Sequence, residues 1–196
     1  MPDSIKTILT GLFIMGALFS CSNSSRVNEK QQTDGKTATR ANDFLNSIGV
    51  CSSITDRGET LPGTIDALNY TGIRWVRCGL EDDVSTNEMT RLHNQTGARI
   101  AYGVLSGGTD ISALIDTTRK LAKKNALLAI EGNNEPNNWT ITYEGREGGG
   151  KGSWLPVAKL QRDLYKAVKS TPVLKDCPVW NLTESGAQTN NVGLQI

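Results

Sequence analysis

Apolar and polar positions alternate along the chain in two repeating patterns from residue 42 onward. Short apolar or β-branched runs predict strands at residues 47–51, 73–77, 98–104, 126–130 and 178–182. Between these runs, apolar residues recur three and four positions apart, which is typical of amphipathic helices. Because strands and helices alternate, the pattern predicts an α/β fold with a parallel sheet and outer helices.

Helix boundary signals support this division of the chain. Ser85 followed by Glu88 forms a capping box at the start of one predicted helix, and Asp110 is a suitable N-cap for the next. Pro156 lies near the start of another helix, and Gly72 follows a shorter one. The first three strand-to-strand steps are roughly 25 to 29 residues, close to the roughly 31 residues per unit of a (β/α)8 barrel. A doubly wound open sheet would give the same spacing, so both architectures remain open.

The N-terminal segment differs from the alternating region and predicts an export signal. Its uncharged apolar run at residues 8–19 is shorter than the roughly 20 residues that span a bilayer. The Leu-Phe-Ser-Cys sequence ending at Cys21 resembles the bacterial lipobox. This resemblance implies a signal peptide at residues 1–20, lipidation of Cys21, and anchoring in the bacterial cell envelope, facing the periplasm or the exterior.

A polar segment separates the predicted signal peptide from the predicted domain. Residues 21–41 contain almost no apolar side chains, so burial there cannot offset the entropy of ordering the chain. We therefore expect a flexible tether at residues 21–41 and a domain at residues 42–196.

Composition excludes several classes of function. Hydrophobic residues make up 37% of the 196 residues, and the formal net charge is +1, which predicts no partnership with nucleic acid. Four cysteines are too few for a disulfide scaffold. Cys51 and Cys78 lie near the ends of predicted strands, where free buried thiols are favoured and a pairing stays open. With a single histidine, His93, on a predicted helix, the sequence predicts no metal site and no cofactor.

A polar cluster follows the fourth predicted strand, where α/β folds carry catalytic groups. The apolar run 126–130 ends abruptly in this cluster, which contains Asn134, Glu135 and Pro136. The carboxyl group of Glu135 can protonate a leaving oxygen while the neighbouring amide binds a substrate hydroxyl. The alternative is a solvated carboxylate in a polar loop.

This Asn-Glu-Pro motif resembles the acid/base motif of the retaining (β/α)8 glycoside hydrolases, the clan that includes β-glucanases and β-mannanases. The resemblance covers residues 42–196 and implies that Glu135 is the acid/base and that Asn134 contacts a sugar hydroxyl. The clan also places an arginine at the end of strand two, and Arg77 matches it better than Arg74. The implied fold is an incomplete TIM barrel with about five βα units.

The same resemblance leaves the nucleophile unassigned. Retaining enzymes hold two carboxyl groups about 5–5.5 Å apart, and in the clan the second one follows strand seven. Glu184 follows the fifth predicted strand, so we expect it to orient substrate rather than to attack it. We therefore expect this polypeptide to be a truncated fragment, inactive or nearly so by itself.

Other candidate features have simpler interpretations. The glycine-rich insertion at residues 143–153 lacks the Ser or Thr of a phosphate-binding loop, because Gly152 occupies that position, so a flexible surface loop is expected. Trp139 can either stack on a sugar ring or pin this loop, and packing is favoured for Trp154. The acidic residues at positions 81–83 could bind a cation or substrate, but a solvated cluster that begins a helix is favoured.

Two functions follow as hypotheses. The first is a secreted, lipid-anchored glycoside hydrolase acting on a poly- or oligosaccharide, with Glu135 as acid/base and Asn134, Arg77, Trp139 and Glu184 binding substrate. The second is a non-catalytic surface lipoprotein that binds polysaccharide through the same polar and aromatic rim. An open α/β protein in which Glu135 has no catalytic role is a third possibility.

Overall fold

The computed structural model describes residues 38–185, in which strands and helices alternate except where β4, β5 and β6 follow one another. The strands are β1 (Val50–Cys51), β2 (Trp75–Gly79), β3 (Arg99–Leu105), β4 (Leu127–Asn133), β5 (Ile141–Tyr143), β6 (Arg146–Gly148) and β7 (Val179–Trp180). The helices are α1 (Ala41–Ser47), α2 (Leu61–Thr71), α3 (Thr86–Thr96), α4 (Ile111–Lys123) and α5 (Leu155–Ser170). The predicted signal peptide at 1–20, Cys21 and the tether up to residue 37 lie outside the described residues.

Five strands form one parallel sheet in the order β1-β2-β3-β4-β7. The order follows the chain and does not reverse among the described strands, whereas a doubly wound sheet reverses at its switch point. Successive helices pack against each other, α2 on α3, α3 on α4 and α4 on α5. The predicted α/β class with a parallel sheet is therefore confirmed.

Alternate residues of the central strands point to opposite faces of the sheet, as the pleat requires. Val76 and Cys78 of β2, Tyr102 of β3 and Ile130 of β4 join the hydrophobic core formed with the helices. The helices contribute fully buried side chains to the same core, among them Met89, Leu92, Leu114, Leu121, Leu164 and Val168. This helix-facing side of the sheet holds the main core of the described region.

The opposite face of the sheet, called here the inner face, carries Trp75 and Arg77 of β2, Glu131 of β4 and Trp180 of β7. The rings of Trp75 and Trp180 meet edge to face with their centroids 5.6 Å apart. In a flat sheet, strands three positions apart would be separated by about 14 Å. The two rings therefore reach across the strands between them.

Several predicted boundaries were wrong by a few residues, mostly because polar residues belong to strands. The first strand was expected from residue 47, but Ser47 ends α1 and only Val50–Cys51 pairs with β2. The strand β2 continues to Gly79, and β4 continues to Asn133. Buried Asn133 is tolerated there because its Nδ2 donates to the carbonyls of Leu105 and Gly108, at 3.3 and 2.7 Å.

Helix boundary signals were more reliable than strand ends. Ser85 and Glu88 form the predicted capping box of α3, and the Asp110 side chain caps α4 by accepting from the Ala113 N–H. Gly72 ends α2 in the left-handed conformation with φ of 70°. That helix begins at Leu61, directly after its cap residue Thr60, and is therefore longer than the short helix that the sequence predicts.

The glycine-rich insertion is not the flexible surface loop that was expected. The strands β5 and β6 pair as an antiparallel hairpin that lies against α5. Ile141 is buried in a second small core with Val157 and Leu160, and Trp154 packs against it as predicted. Apolar residues that flank the glycines therefore fix the insertion to the fold.

The described cysteines Cys51, Cys78 and Cys177 are free thiols, which confirms the favoured interpretation, but the expected burial holds for Cys78 and was wrong for Cys51, which is exposed. Cys51 lies opposite Arg77 in the sheet register, and its side chain shares the inner face with it. Cys78 is buried on the helix-facing side. The two thiols therefore lie on opposite faces of the sheet, which keeps them from pairing.

Candidate functional site

The candidate site lies at the carboxyl edge of the sheet, where β4 ends in a tight turn. Glu135 has φ of 47°, in the left-handed region that side-chain-bearing residues rarely adopt. Its N–H donates to the Thr183 carbonyl at 2.8 Å, and its own carbonyl accepts from the N–H groups of Asn138 and Trp139. These three bonds hold the strained residue in place.

The Glu135 carboxyl group is half-buried at this edge. One of its oxygens accepts a hydrogen bond from the Asn138 side-chain amide at 3.1 Å. Pro136, which follows, is buried, and its carbonyl accepts from the Gly150 N–H at 2.8 Å. The carboxylate is therefore held by the Asn138 amide and remains partly accessible to solvent.

The Asn134 side chain next to Glu135 is fixed by residues from three other segments. Its Oδ1 accepts from Arg77 Nη2 at 2.9 Å and from the Thr183 hydroxyl at 3.1 Å. Its Nδ2 donates to the Ser106 hydroxyl at 3.2 Å. Since both Oδ1 lone pairs have donors, Asn134 can offer a ligand the second N–H of its amide.

Arg77 is anchored by the buried carboxylate of Glu131 on β4. Arg77 Nε and Nη2 donate to the two oxygens of Glu131 at 2.6 and 2.8 Å, a two-pronged ion pair. The Glu131 side chain is only 3% exposed, and that of Arg77 is 22% exposed. Hydrogen bonding to Glu131 raises the pKa of the Arg77 guanidinium further above its usual range, so the group stays cationic.

Small residues on β3 make room for this ion pair. Arg77 lies opposite Ala101 in the register, and Glu131 lies opposite Gly103. A side chain at Gly103 would place its Cβ 3.2 Å from the Glu131 Cβ. The guanidinium of β2 can therefore reach the carboxylate of β4 across the strand between them.

The sequence favoured Arg77 over Arg74 because Arg77 was expected to end its strand. In the structure it does not. The strand continues through Gly79, and the register aligns Arg77 with Ala101 and Ala129, below the edge that Asn134 occupies. Its guanidinium nevertheless reaches that edge, because Nη2 bonds both Glu131 and Asn134. Arg77 and Asn134, selected separately from the sequence, are thus in direct contact.

A cleft of about 140 Å³ adjoins Asn134 on the side of β1 and β2. The acidic residues at positions 81–83 were expected to be solvated and to begin a helix, which is confirmed for the exposure of Glu81 and Asp83 but wrong for Asp82 and for the helix, since α3 begins at Thr86. The Asp82 side chain is only 6% exposed and accepts from the Gly79 N–H and the Ser53 hydroxyl. Arg57 Nη2 lies 3.4 Å from carboxylate oxygens of both Glu81 and Asp82. The cluster therefore ties the loop after β1 to the loop after β2.

Trp139 and Glu184 lie on the two segments that flank the Glu135 turn. Trp139 follows the turn and is 57% exposed, so its ring does not serve as the buried pin of the insertion. Glu184 is exposed and directly follows Thr183, which bonds both Asn134 and the Glu135 backbone. Both side chains are thereby placed near the same edge as Asn134.

Glu131 is the site residue that the sequence interpretation missed. It was passed over because it directly follows the predicted strand 126–130 and begins the polar segment that leads to Glu135. The available signal was its position: a charged residue in a buried strand requires a partner of opposite charge. Its pairing with Arg77 is long-range in sequence, so the residue pattern alone does not identify that partner.

The single histidine bears on the question of a metal site, and the helices bear on that of a membrane span. The His93 ring lies on α3 with Nδ1 2.9 Å from the Ala98 carbonyl, and residues 38–185 contain no cluster of side chains suited to a metal ion. No helix in the same residues is long and apolar enough to cross a membrane.

Comparison with known proteins finds no matching family model, no matching curated protein and no matching solved structure. Any functional interpretation therefore depends on the geometry of the site and on the Asn-Glu-Pro resemblance.

Proposed function

We propose that this chain belongs to a glycoside hydrolase that cleaves O-glycosidic bonds of a poly- or oligosaccharide with retention, with Glu135 as the acid/base. The observation that carries the proposal is the pairing of a half-buried, backbone-strained Glu135 with a fixed Asn134 amide at the carboxyl edge of a parallel sheet. Strained backbone is concentrated at functional sites, and parallel sheets carry their chemistry at this edge.

The proposed architecture is an incomplete (β/α)8 barrel. Five parallel strands follow one another in chain order, and the helices between them pack side by side. The contact between Trp75 and Trp180 across two intervening strands supports a sheet that curves around its inner face. In this proposal the remaining strands lie outside the described residues and close the barrel.

The chemistry assigned to Glu135 has two steps. In the first, its carboxyl proton goes to the glycosidic oxygen while a second carboxylate attacks the anomeric carbon, so the C–O bond breaks and a glycosyl ester forms. In the second, Glu135 takes a proton from water as that water attacks the same carbon and releases the ester. We propose that the second carboxylate lies about 5–5.5 Å away, on a part of the barrel outside the described residues.

The remaining site residues are proposed to bind substrate. The free N–H of the Asn134 amide donates to a sugar hydroxyl, and Arg77 keeps the amide oxygen turned away from the sugar. The exposed Trp139 ring offers a flat apolar face to a pyranose. Glu184 accepts hydrogen bonds from hydroxyl groups at the same edge.

We also propose that the mature protein is anchored in a bacterial envelope through a lipid on Cys21. Metabolic labelling of the expressing cells with an alkyne fatty acid tests this directly. The wild-type protein should carry the label, and Cys21→Ala should abolish it. Labelling that persists in the variant would contradict the assignment.

The test of the activity uses the complete gene product and a comparison of leaving groups. Glu135→Gln should lower turnover of unactivated oligosaccharides by about a hundred- to ten-thousand-fold, the usual contribution of general acid–base catalysis. Glycosides with a nitrophenol leaving group should lose less in the first step, because their departure needs no proton. Glu144→Gln is the matched control, since that carboxylate is exposed and pairs only with Lys159.

The alternative hypothesis, a non-catalytic polysaccharide-binding lipoprotein, is favoured by one observation, the exposed Trp139 ring next to the polar edge. The same assay separates the two. Binding of oligosaccharide without turnover by the wild-type protein would support the binding module, and equal turnover by wild type and Glu135→Gln would remove Glu135 from the mechanism.

A further inference from the structure

Glu131 is a buried charge that the proposed mechanism does not use. It lies on β4 four residues before Glu135, is 2% exposed, and is too deep in the sheet to be a direct ligand of a sugar at the edge. A buried carboxylate is costly unless it is paired and fully hydrogen-bonded. Such a residue in the strand that ends in the candidate site calls for an explanation.

The hydrogen bonds of Arg77 connect this carboxylate to the site. The two oxygens of Glu131 occupy Nε and one N–H of Nη2, in the fork arrangement that fixes a guanidinium in one plane. The second N–H of Nη2 is left pointing toward the edge, where it donates to Asn134 Oδ1 at 2.9 Å. Glu131 thus determines where that donor points.

The orientation of the Asn134 amide follows from this donor. An asparagine side chain can turn its oxygen or its nitrogen toward a ligand, and the two orientations have opposite hydrogen-bonding character. Arg77 is a cationic donor that cannot accept a hydrogen bond, so only the amide oxygen can face it. The nitrogen is then directed toward Ser106 and the open side of the site.

We propose that Glu131 is a positioning residue that acts through Arg77 to hold the Asn134 amide with its N–H group toward the ligand. This inference rests on the proposed function for its purpose, since a fixed donor beside Glu135 would select a hydroxyl oxygen of a sugar. The hydrogen-bonded chain itself holds without substrate. It can therefore be measured separately from any activity.

The experiment is nuclear magnetic resonance relaxation of the Asn134 side-chain amide in the full chain labelled with ¹⁵N-asparagine. The Asn134 signal is assigned by its loss in Asn134→Ala. In the wild-type protein the order parameter of this amide should be about 0.85, the value of rigid backbone. In Glu131→Gln it should fall below about 0.6, the range of flexible segments. A neutral amide at position 131 presents a donor to Arg77 and can no longer hold the guanidinium in its fork.

Two controls separate positioning from general loosening of the fold. Asn133 is adjacent on β4 and donates only to the carbonyls of Leu105 and Gly108, so its side-chain signal should stay rigid in Glu131→Gln. Glu144→Gln makes the same chemical change at an exposed ion pair and should leave Asn134 rigid. An Asn134 amide that stays rigid in folded Glu131→Gln would overturn the proposal.

A second variant keeps the test decisive if Glu131→Gln does not fold. The double substitution Glu131→Leu with Arg77→Met replaces the buried pair by apolar side chains of similar size, a change that is often neutral for stability. Asn134 should become mobile in this variant while Asn133 stays rigid. A rigid Asn134 there would show that Thr183 and Ser106 suffice and would overturn the role of Glu131. The order parameters of Asn134 do not depend on whether the protein has glycosidase activity. The positioning proposal and the proposed function can therefore fail independently.

Discussion

The two faces of the central sheet show how one strand can serve two purposes. Ile130 and Glu131 are consecutive residues of β4, and both are buried. Ile130 points to the helices and joins a core that contains no charged side chain, whereas Glu131 points to the inner face and pairs with Arg77. The first face stabilises the fold through apolar burial, and the second orients polar groups that lead to the edge.

The difference predicts different energetic behaviour. Apolar burial on the helix-facing side depends on area and volume, so it tolerates changes of charge elsewhere and changes of salt. The ion pair on the inner face contributes little net stability when intact but becomes a large penalty when one partner is removed. The stability lost on the two faces should therefore be restored by different second substitutions.

The largest effect is expected from removing one partner of the inner-face pair. Arg77→Ala leaves the Glu131 carboxylate buried and unpaired, which should lower the free energy of unfolding by about 3–5 kcal/mol. Urea denaturation followed by circular dichroism measures this change. Adding Glu131→Leu to the variant should restore most of the loss, because no buried charge then remains. A double variant as unstable as Arg77→Ala would contradict the unpaired-charge explanation.

A comparable but slightly smaller loss is expected on the helix-facing side. Ile130 is fully buried, and Ile130→Ala should lower the free energy of unfolding by about 2–5 kcal/mol through lost burial and the cavity that remains. Here Ile130→Val should recover much of the stability, and no charge change on the inner face should do so. Urea denaturation of the three variants in one series provides the test; rescue by a change at Glu131 would mean that the faces are not independent.

The helix-facing side can also be probed by alkaline titration. Burial raises the pKa of Tyr102 to about 12, against about 10 in an unfolded chain. The folded state therefore disfavours the tyrosinate, and the stability contributed by Tyr102 is complete below pH 10 and is lost as the pH rises toward 12. Unfolding free energies at pH 9 and pH 11.5 measure this loss. Tyr102→Phe should fall less between these two values, and an equal fall would contradict the assignment.

The smallest effect is expected at an exposed ion pair that belongs to neither face. Lys159 Nζ lies 2.8 Å from Glu144, with side chains 32% and 49% exposed. Lys159→Ala should change the free energy of unfolding by about 1 kcal/mol or less, and high salt should remove even that difference. Thermal denaturation at low and high salt measures both. A loss as large as that of Arg77→Ala would show that exposure does not separate the two pairs.

Local signals in the sequence predicted the helices and the fold class better than the site. The capping box at Ser85 and the left-handed Gly72 depend on residues within one turn, so the sequence pattern contains all that is needed. The extent of β4 was underestimated because Glu131 and Asn133 are polar, and their burial is explained only by partners on β2 and β3 and in the loop after β3.

The candidate site shows the same limit. Asn134, Glu135 and Arg77 could be selected because each follows or lies within an apolar run. The hydrogen bonds that connect these residues could not be predicted from the sequence, because Glu131 reaches Arg77 only across the small residues of β3. The burial of Asp82 after β2 was missed for a similar reason, because its partner Arg57 comes from the loop after β1.

The central claim is that Glu135 acts as the acid/base of a retaining glycosidase, and azide rescue of the complete gene product tests it most directly. With Glu135→Ala and a dinitrophenyl glycoside, the first step proceeds without acid, and the glycosyl-enzyme waits for a base that is missing. Added azide, which needs no base, should restore turnover and yield a glycosyl azide with the configuration of the substrate. Hydrolysis that is unaffected by Glu135→Ala, or a glycosyl azide of inverted configuration, would contradict the account.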